Sequence, residues 1–242
     1  MRYVVISDVH ANLEALQAVR AEIERLSPDR VLNLGDIVGY GASPSECIEA
    51  CKQFVHVTVA GNHDFGVSGL TDIRYFNSYA RRAVLWTAKA LSQEQVDYLG
   101  GLPLAHVEDG SFRIVHATPS DPGRWDYIFG REQAMIEFGA FGESVCFVGH
   151  SHQAGFFEID ENGAIMRDGN RIDLVPGRRY LINVGSVGQP RDGDSRAALC
   201  VYDPDRGKGE ILRVPYDIEG AKRRILEAGL PPILANRLSH GE

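Results

Sequence analysis

Cysteine is scarce in this sequence, with four residues in 242. Cys47 and Cys51 lie four positions apart on a predicted helix, whereas Cys146 and Cys200 lie in apolar, strand-like runs. No pair has the Cys-x-x-Cys spacing that is typical of zinc or redox sites. The pattern excludes a disulfide-stabilised scaffold and predicts buried free thiols in a reducing compartment, for which we expect the cytoplasm.

A long apolar run is also missing. A membrane-spanning helix needs roughly 18 or more consecutive apolar residues, and the sequence has no such run. The first apolar run, residues 3–7, is too short for a signal peptide and is followed at once by the acid Asp8. We therefore expect no membrane partner.

Positive charge is in the minority. The 25 Lys and Arg residues face 33 Asp and Glu residues, which gives a net charge of -8. An average charge of this sign repels a polyanion such as duplex DNA, so a nucleic-acid partner is disfavoured. A phosphorylated substrate would need local positive charge, and bound metal ions are one source of it.

The first half of the chain alternates short apolar runs with helical patterns, which is typical of β-α-β units and a parallel sheet. Its predicted strands cover residues 3–7, 31–34, 54–59, 104–108, 112–116 and 144–148, and its predicted helices cover residues 13–26, 44–48, 77–98 and 131–138. After His152 the pattern changes to strands that we expect to be antiparallel. These cover residues 156–159, 164–167, 180–184, 197–202 and 210–216, with a turn at Glu161-Asn162-Gly163 and a last helix over residues 217–228. The sequence predicts one domain, residues 1–242, of mixed α/β class with two sheets.

Polar residues that do not fit a core pattern follow the predicted strands directly. They are Asp8 and His10 after the first strand, Asp36 after the second, Asn62, His63 and Asp64 after the third, His116 after the hairpin, and His150 and His152 after the strand that ends at Val148. Open α/β sheets bind ligands at the carboxyl ends of their parallel strands. The fold would therefore bring these nine residues together, although they are scattered along the chain.

These side chains are oxygen and imidazole donors without a thiolate. The combination suits Mn, Fe, Zn, Co or Ni better than a structural zinc site built from cysteines. With His63 and Asp64 set aside, seven candidate ligands remain, which are too many for one ion. If one carboxylate bridges, two ions receive four ligands each, and two metals about 3.5–4 Å apart form the usual clamp for displacement at phosphorus.

Five sequence blocks resemble those of the calcineurin-like metallophosphoesterase superfamily, whose pattern is D-x-H, GD, GNH-[E/D], H and G-H-x-H. They are Asp8-Val9-His10, Gly35-Asp36, Gly61-Asn62-His63-Asp64, His116 and Gly149-His150-Ser151-His152. The resemblance covers about residues 1–216. It implies a four-layer α/β/β/α sandwich with two mixed sheets and a dinuclear metal centre at the strand ends.

The resemblance also implies a role for each residue. One ion would bind Asp8, His10, Asp36 and His152, and the other would bind Asp36, Asn62, His116 and His150, so that Asp36 bridges. A hydroxide between the ions would attack phosphorus. His63 would stabilise the transition state or protonate the leaving-group oxygen, and Asp64 would orient His63.

Two departures from the pattern narrow the subfamily. Protein serine/threonine phosphatases carry an Asp-Arg pair after GD and an Arg before GNH, whereas this chain has GDIVGYG over residues 35–41 and Ala60 before Gly61. We therefore expect no protein phosphatase activity. The chain is more similar to the small prokaryotic phosphodiesterase branch, whose members also carry a segment like residues 183–194.

Two regions offer candidate substrate contacts. Arg191 could hold a phosphate through two hydrogen bonds, and the alternative is a turn in which it pairs with a neighbouring Asp. Tyr40 could stack on a substrate base or simply pack against the protein. The same alternatives apply to the loop after the fourth block, which contains Arg124, Trp125 and Tyr127.

The leading interpretation is a metal-dependent hydrolase that acts on a small phosphodiester, phosphomonoester or dinucleotide. A non-catalytic, metal-binding interaction scaffold of the same fold is the alternative from another class, but the complete ligand set, including His63, argues against it. A nuclease is the third interpretation, which the lack of an added domain and of basic excess opposes. We expect a small phosphorylated partner, and the antiparallel C-terminal sheet edge is a candidate surface for homo-oligomer formation.

Overall fold

The computed structural model describes residues 1–160, 163–167 and 169–242. The α-helices are α1 (Leu13–Leu26), α2 (Pro44–Phe54), α3 (Asn62–Ser68), α4 (Ser78–Ala90), α5 (Gln93–Gly100), α6 (Arg131–Glu137), α7 (Ile218–Glu227) and α8 (Pro232–Asn236). The strands are β1 (Tyr3–Ile6), β2 (Arg30–Asn33), β3 (Val57–Thr58), β4 (Ala105–Glu108), β5 (Phe112–Val115), β6 (Val145–Val148), β7 (Gly155–Asp160), β8 (Gly163–Arg167), β9 (Arg171–Asp173), β10 (Arg179–Asn183), β11 (Ala197–Asp203) and β12 (Lys208–Val214). The first two residues of the predicted turn at Glu161-Asn162-Gly163 lie outside the described residues.

Within this described part of the chain, the strands form two mixed sheets of six strands each. The first has the order β3-β2-β1-β11-β12-β9, and β1, β2 and β3 are parallel in it. The second has the order β4-β5-β6-β10-β7-β8, and β5, β6 and β10 are parallel in it. The expectation that all C-terminal strands are antiparallel is wrong for β10. This strand pairs antiparallel with β7 but parallel with β6, where Tyr180 lies opposite Val145.

The apolar clusters establish four layers. On β1, Val5 faces the second sheet and belongs to the cluster between the two sheets, whereas Val4 faces the helices α1 and α2. On the other side, α6 covers the second sheet, where Ala134 belongs to one cluster with Leu181. The order is therefore α/β/β/α, as predicted, and β1 is buried on both faces because each face has a covering layer.

Two helices begin as the sequence suggests. Asn12 caps α1 by accepting a hydrogen bond from the Ala15 N–H at 3.1 Å, and Pro44 lies in the first turn of α2. The helix predicted over residues 77–98 is two helices, because Ser92 begins α5 with its own capping box.

All four cysteines are buried and free. Among the described helices, none combines the length and the apolar character needed to span a bilayer.

The parallel strands of both sheets end at the same end of the sandwich. The Asp8 N–H, which follows β1, donates to the Gly35 carbonyl after β2 at 3.0 Å. The Gly149 N–H, which follows β6, donates to the backbone carbonyl of His116 after β5 at 2.8 Å. The two sheets meet where the His150 N–H donates to Oδ2 of Asp8 at 3.1 Å. The loops at this end therefore build one site from both sheets.

Candidate metal centre

The structure brings the strand-end residues together and buries all of them. They are Asp8, His10, Asp36, Asn62, His63, Asp64, His116, His150 and His152. Three overlapping groups have one potential ligand atom per residue within 4.8 Å of the others, and these are Asp8-His10-His152, His10-Asp36-His63 and Asp36-His116-His150. Asp36 thus lies near His10 on one side and near His116 and His150 on the other. This is the position that a shared carboxylate requires.

The backbone is strained at these residues. Asp8, His10, Asp36, His150 and His152 all adopt the left-handed conformation, with φ between 49° and 64°. This conformation is unfavourable for residues with a Cβ atom and costs of order 1–3 kcal/mol each. Such strain concentrates at functional sites, and here it turns five polar side chains toward one point.

Two glycines of the sequence blocks are needed for close approach. A Cβ atom at Gly61 would overlap Oδ1 of Asp36, and one at Gly149 would overlap Oγ of Ser7 and lie 2.5 Å from Oδ2 of Asp8. The loops after β3 and β6 therefore pass directly against the carboxylates.

Each of the four histidines that are predicted metal ligands uses one ring nitrogen to contact a backbone carbonyl. The pairs are Nδ1 of His10 with Val38 at 3.1 Å, Nδ1 of His116 with Leu34 at 2.9 Å, Nε2 of His150 with Trp125 at 2.9 Å, and Nδ1 of His152 with Gln189 at 2.5 Å. A carbonyl oxygen can only accept, so these nitrogens donate. When such a ring is neutral, its second nitrogen keeps a free lone pair, as in histidines that bind metals.

Those second nitrogens face one another. Nε2 of His10 lies 3.0 Å from Nε2 of His152, and Nε2 of His116 lies 3.1 Å from Nδ1 of His150. Two imidazole ligands about 2.1 Å from one ion, at an angle between a right angle and the tetrahedral angle, lie roughly 3.0–3.4 Å apart. Each pair therefore has the nitrogen–nitrogen distance expected for two ligands of one ion, and the two pairs together fit two separate ions. Oδ1 of Asp8 completes the first pair at 3.2 Å from Nε2 of His152.

Two oxygens at the site are buried without a hydrogen-bond donor. Within the described residues, Oδ1 of Asp8 and Oδ1 of Asn62 have no hydrogen-bond partner. A buried polar atom without a partner is costly, and a cation bound at each of these oxygens would remove that cost. The donor set of nitrogens and oxygens thus fits divalent metal ions.

Protonation follows from burial and from the two carboxylates. Burial lowers the pKa of His150 to about 4 and that of His152 to about 3, so both rings are neutral near pH 7 and can bind a metal. Burial also opposes the charged form of His116, but Asp36 and other carboxylates outweigh it and raise the pKa of His116 to about 9. Positive charge is therefore favoured beside Asp36.

Asp64 has a different place from the one predicted. Its carboxylate accepts hydrogen bonds from the N–H groups of Asp36 at 2.8 Å, Gly61 at 3.1 Å and Val38 at 3.2 Å. Nδ1 of His63 is buried and, in the described part of the chain, has no hydrogen-bond partner. The prediction that Asp64 orients His63 is therefore wrong, because the start of α3 turns the Asp64 carboxylate toward the backbone. Burial, followed by the charge of Asp36, raises the pKa of Asp64 to about 7.

His63 is held by aromatic rings instead. Its ring centroid lies 4.4 Å from Tyr40, 5.1 Å from Phe76 and 4.9 Å from His10. Burial lowers the pKa of His63 well below its usual value, although Asp36 acts in the opposite direction. The ring is thus neutral and is fixed against the candidate metal ligands.

Arg191 and Tyr40 line the same cleft as the candidate ligands. The Arg191 guanidinium lies 5.4 Å from the centre of the Tyr40 ring and donates to Oε1 of Gln189 from Nε at 3.2 Å and from Nη2 at 2.7 Å. Among the described residues, no carboxylate pairs with Arg191, because Asp192 and Asp194 pair with other arginines. The alternative of a turn with an Arg191–Asp pair is therefore wrong.

The aromatic residues of the loop after β5 are engaged in packing. Nε1 of Trp125 donates to Oγ1 of Thr71 at 3.0 Å. The Tyr127 ring stacks on His150 at 4.1 Å and on Phe129 at 5.0 Å. Two rings already stack on Tyr127, so the structure favours the packing alternative over base stacking for this ring, although 44% of the residue is exposed at the cleft.

A family model of the calcineurin-like phosphoesterase superfamily domain matches residues 1–207. The chain belongs to the calcineurin-like phosphoesterase superfamily. The five blocks that suggested this family lie inside the matched range and supply the whole buried cluster. The predicted family is therefore confirmed.

Several similar proteins have nearly the same length as this chain. An uncharacterized protein of Methanocaldococcus jannaschii is 42% identical over 240 residues, which cover 98% of this chain and 97% of that protein. The crystal structure of a metallophosphoesterase from Sphaerobacter thermophilus has a TM-score of 0.86 at 40% identity, with 100% of this chain and 99% of that chain covered. A hypothetical protein from Pyrococcus horikoshii has a TM-score of 0.82 at 19% identity, with 100% and 98% covered, and supports the fold. These findings confirm the fold class.

Some residues of the candidate site were not found from the sequence. The cleft has a volume of about 430 Å³, and its lining also includes Thr71 and Tyr75, from the segment between α3 and α4. Gln189 is buried and holds both Arg191 and, through its carbonyl, His152. The sequence signal that could have identified Gln189 was its position two residues before Arg191. A carbonyl partner has no residue signature, so the bond from His150 to Trp125 could not be predicted.

Proposed function

We propose that this calcineurin-like phosphoesterase is a dinuclear-metal-dependent hydrolase of a small phosphodiester, phosphomonoester or (di)nucleotide. The observation that carries the proposal is the buried donor set, in which two pairs of imidazole nitrogens face each other beside Asp8 and Asp36. We also propose a cytoplasmic location, which the buried free thiols support, and membership of the small prokaryotic phosphodiesterase branch.

The residues that would hold the ions form two sets that share Asp36. The first set is Asp8, His10, Asp36 and His152, and the second is Asp36, Asn62, His116 and His150. Nitrogen and oxygen donors of this kind suit Mn, Fe, Zn, Ni or Co. When bound, two such ions would supply Lewis-acid activation of the attacking water and would offset the negative charge of the phosphoryl oxygens.

Phosphate binding falls to Arg191. Its guanidinium faces the cleft, has no carboxylate partner in the described residues and is oriented by Gln189. A planar guanidinium donates two parallel hydrogen bonds to phosphate oxygens. This local charge compensates for the net charge of -8, which by itself disfavours an anionic substrate.

His63 acts beside the reacting group in this proposal. Tyr40 and Phe76 fix its ring at the cleft wall, and the ring is neutral because burial lowers its pKa. A neutral imidazole carries one N–H, which can donate a hydrogen bond to the oxygen on which charge develops. This supports transition-state stabilisation over protonation of the leaving group from an imidazolium.

The cleft supports a small substrate. Its volume of about 430 Å³ lies in the range of small-molecule sites, and the hydrogen bond from Trp125 to Thr71 joins the two segments that form its walls. A polymer chain would need an open groove through this point. Nuclease activity is therefore not favoured.

Hydrolysis of p-nitrophenyl phosphate and of its bis-ester, screened over Mn²⁺, Ni²⁺ and the other candidate ions, tests the proposal. We expect turnover in wild-type protein, and we expect His63→Ala to lower kcat by about 10²–10⁴-fold with unchanged metal content. His106→Ala is the control, since His106 pairs with Glu108 away from the cleft. Loss of bound metal in His63→Ala would contradict the assigned role. Two bound ions without turnover of either ester would support the scaffold alternative.

A further inference from the structure

The cleft changes character between its floor and its mouth. The floor holds the candidate metal ligands and Arg191, whereas the mouth is formed in part by the segment between α3 and α4. Leu70 and Tyr75 of this segment are 61% and 88% exposed, although both line the cleft. Apolar surface at the mouth of a polar site points to a ligand with one anionic and one apolar end.

The Tyr75 side chain is exposed at the mouth of the cleft and does not pack into the protein. It ends the short 3-10 helix Ile73–Tyr75, which Asp72 caps by accepting a hydrogen bond from the Arg74 N–H at 3.0 Å. Within the described residues, no hydrogen-bonding or aromatic partner contacts its side chain. Neighbouring Phe76 is instead turned inward, against His63. The Tyr75 ring is therefore a free aromatic face beside the site.

The charges at the mouth are already paired. Arg124 lines the cleft and pairs with Asp126 at 2.9 Å, and Asp72 pairs with Arg74 at 2.6 Å. Of the arginines that line the cleft in the described structure, Arg191 alone has no carboxylate partner. Among the described residues, the unpaired guanidinium of Arg191 thus lies at the floor, whereas a second anionic group at the mouth would have to compete with an ion pair.

We propose that the substrate carries a single phosphate group and an uncharged aromatic or apolar ester group that packs on Tyr75 and Leu70. The inference rests on the proposed function, since it assigns the substrate class of the same site. It disfavours polyanionic substrates, such as sugar bisphosphates and dinucleoside polyphosphates, because their second charge would lie among paired side chains. It favours an aryl ester or a nucleoside with one phosphate.

Binding of phosphonates, which cannot be hydrolysed, tests the inference without turnover. In titration calorimetry with the Mn²⁺-loaded protein, we expect phenylphosphonate to bind about 10-fold more tightly than methylphosphonate, because its ring packs on Tyr75. Tyr75→Ala should remove most of this preference and leave methylphosphonate affinity unchanged, whereas Tyr75→Phe should keep it. Tyr79→Ala is the matched control, since Tyr79 is half exposed but does not line the cleft.

A third ligand, 3-phosphonopropionate, tests the single-charge requirement. We expect it to bind no more tightly than methylphosphonate. Tighter binding, or equal affinities for the phenyl and methyl compounds, would overturn the inference, as would a phenyl preference that Tyr75→Ala retains. Failure of the proposed function is distinguishable, because it would show as no turnover of any phosphoester while the phenyl preference persists.

Discussion

At the residue scale, substitution of Arg191 tests phosphate binding separately from metal binding. Within the part of the chain that the structure describes, the Arg191 guanidinium donates only to Gln189 and lies over Tyr40, so no hydrogen bond joins it to a candidate metal ligand. We expect Arg191→Ala to raise KM about 10–100-fold, with a smaller effect on kcat, because a hydrogen bond from a charged group contributes about 1.5–3 kcal/mol. Steady-state kinetics with both p-nitrophenyl esters provides the measurement.

Gln189→Ala is the companion variant. It frees the Arg191 guanidinium but keeps the Gln189 carbonyl that holds His152, so we expect a smaller rise in KM and unchanged metal content. An unchanged KM in Arg191→Ala would contradict the phosphate role. Equal loss of kcat and bound metal in both variants would show that this pair supports the metal centre instead.

The candidate metal ligands could be predicted from the sequence, but the groups that hold their side chains in place could not. Residues such as Asp36 and His150 were found because carboxylates and imidazoles after strands are unusual and match a family pattern. Their partners Leu34, Val38 and Trp125 contribute backbone carbonyls, which every residue has. Asp64 matched the pattern, yet its role could not be read from the block, because local helix geometry decides where its carboxylate points.

At the scale of single elements, Asp64 joins the start of α3 to the loop after β2. Its carboxylate accepts N–H groups from Gly61 on one side and from Asp36 and Val38 on the other. We expect Asp64→Asn to lower the free energy of unfolding by about 2 kcal/mol and to weaken metal binding, because the amide NH₂ cannot accept the third bond. Urea denaturation and equilibrium dialysis measure the two effects.

Asp72→Asn is the control for this variant. Asp72 caps the 3-10 helix Ile73–Tyr75 and is partly exposed, so its replacement should leave metal affinity unchanged. If Asp64→Asn instead lowers kcat with normal stability and metal content, the loop-joining role would be wrong. That outcome would restore the predicted role of orienting His63.

Helices with a strong periodic pattern were predicted, whereas the short helices α3 and α8 were not. Helix α1 has its apolar residues on one face and a capping Asn12, and it was found with its bounds. Helix α3 has seven residues, including Gly66, and three of its polar side chains face the site, so it has no apolar period to read. The parallel pairing of β10 was missed because a buried strand does not reveal its neighbour's direction.

At the scale of the whole molecule, metal binding and stability are linked. The floor of the cleft buries two carboxylates that lie against imidazoles, and ions that bind only the folded chain stabilise it. We expect the Tm to rise with Mn²⁺ and to fall with a chelator, since a ligand at 100 times its Kd adds about 2.7 kcal/mol. Thermal unfolding followed by circular dichroism measures this shift.

Asp36→Ala provides the control at this scale. Because Asp36 lies near both imidazole pairs, its loss should remove most of the metal-dependent shift in Tm. A shift of wild-type size in Asp36→Ala would place the bound metal elsewhere on the protein and would contradict the shared carboxylate.

The two-sheet architecture was predictable at this scale because the family pattern and the strand alternation agree. The homo-oligomer surface at the C-terminal sheet edge and the single-domain assignment stay predictions. The proposed substrate preference could not be predicted from the sequence, since the proposal rests on which charges are paired at the cleft mouth. The pairing of Arg124 with Asp126 is a property of the folded loop.

The proposed dinuclear centre is tested most directly by titrating chelator-treated wild-type protein with Mn²⁺ while bound metal and hydrolysis of bis-p-nitrophenyl phosphate are measured together. The arrangement of two imidazole pairs around Asp36 predicts binding of two ions per chain. Turnover should rise mainly with the second equivalent. Saturation at one ion per chain, or full turnover at one equivalent, would contradict it.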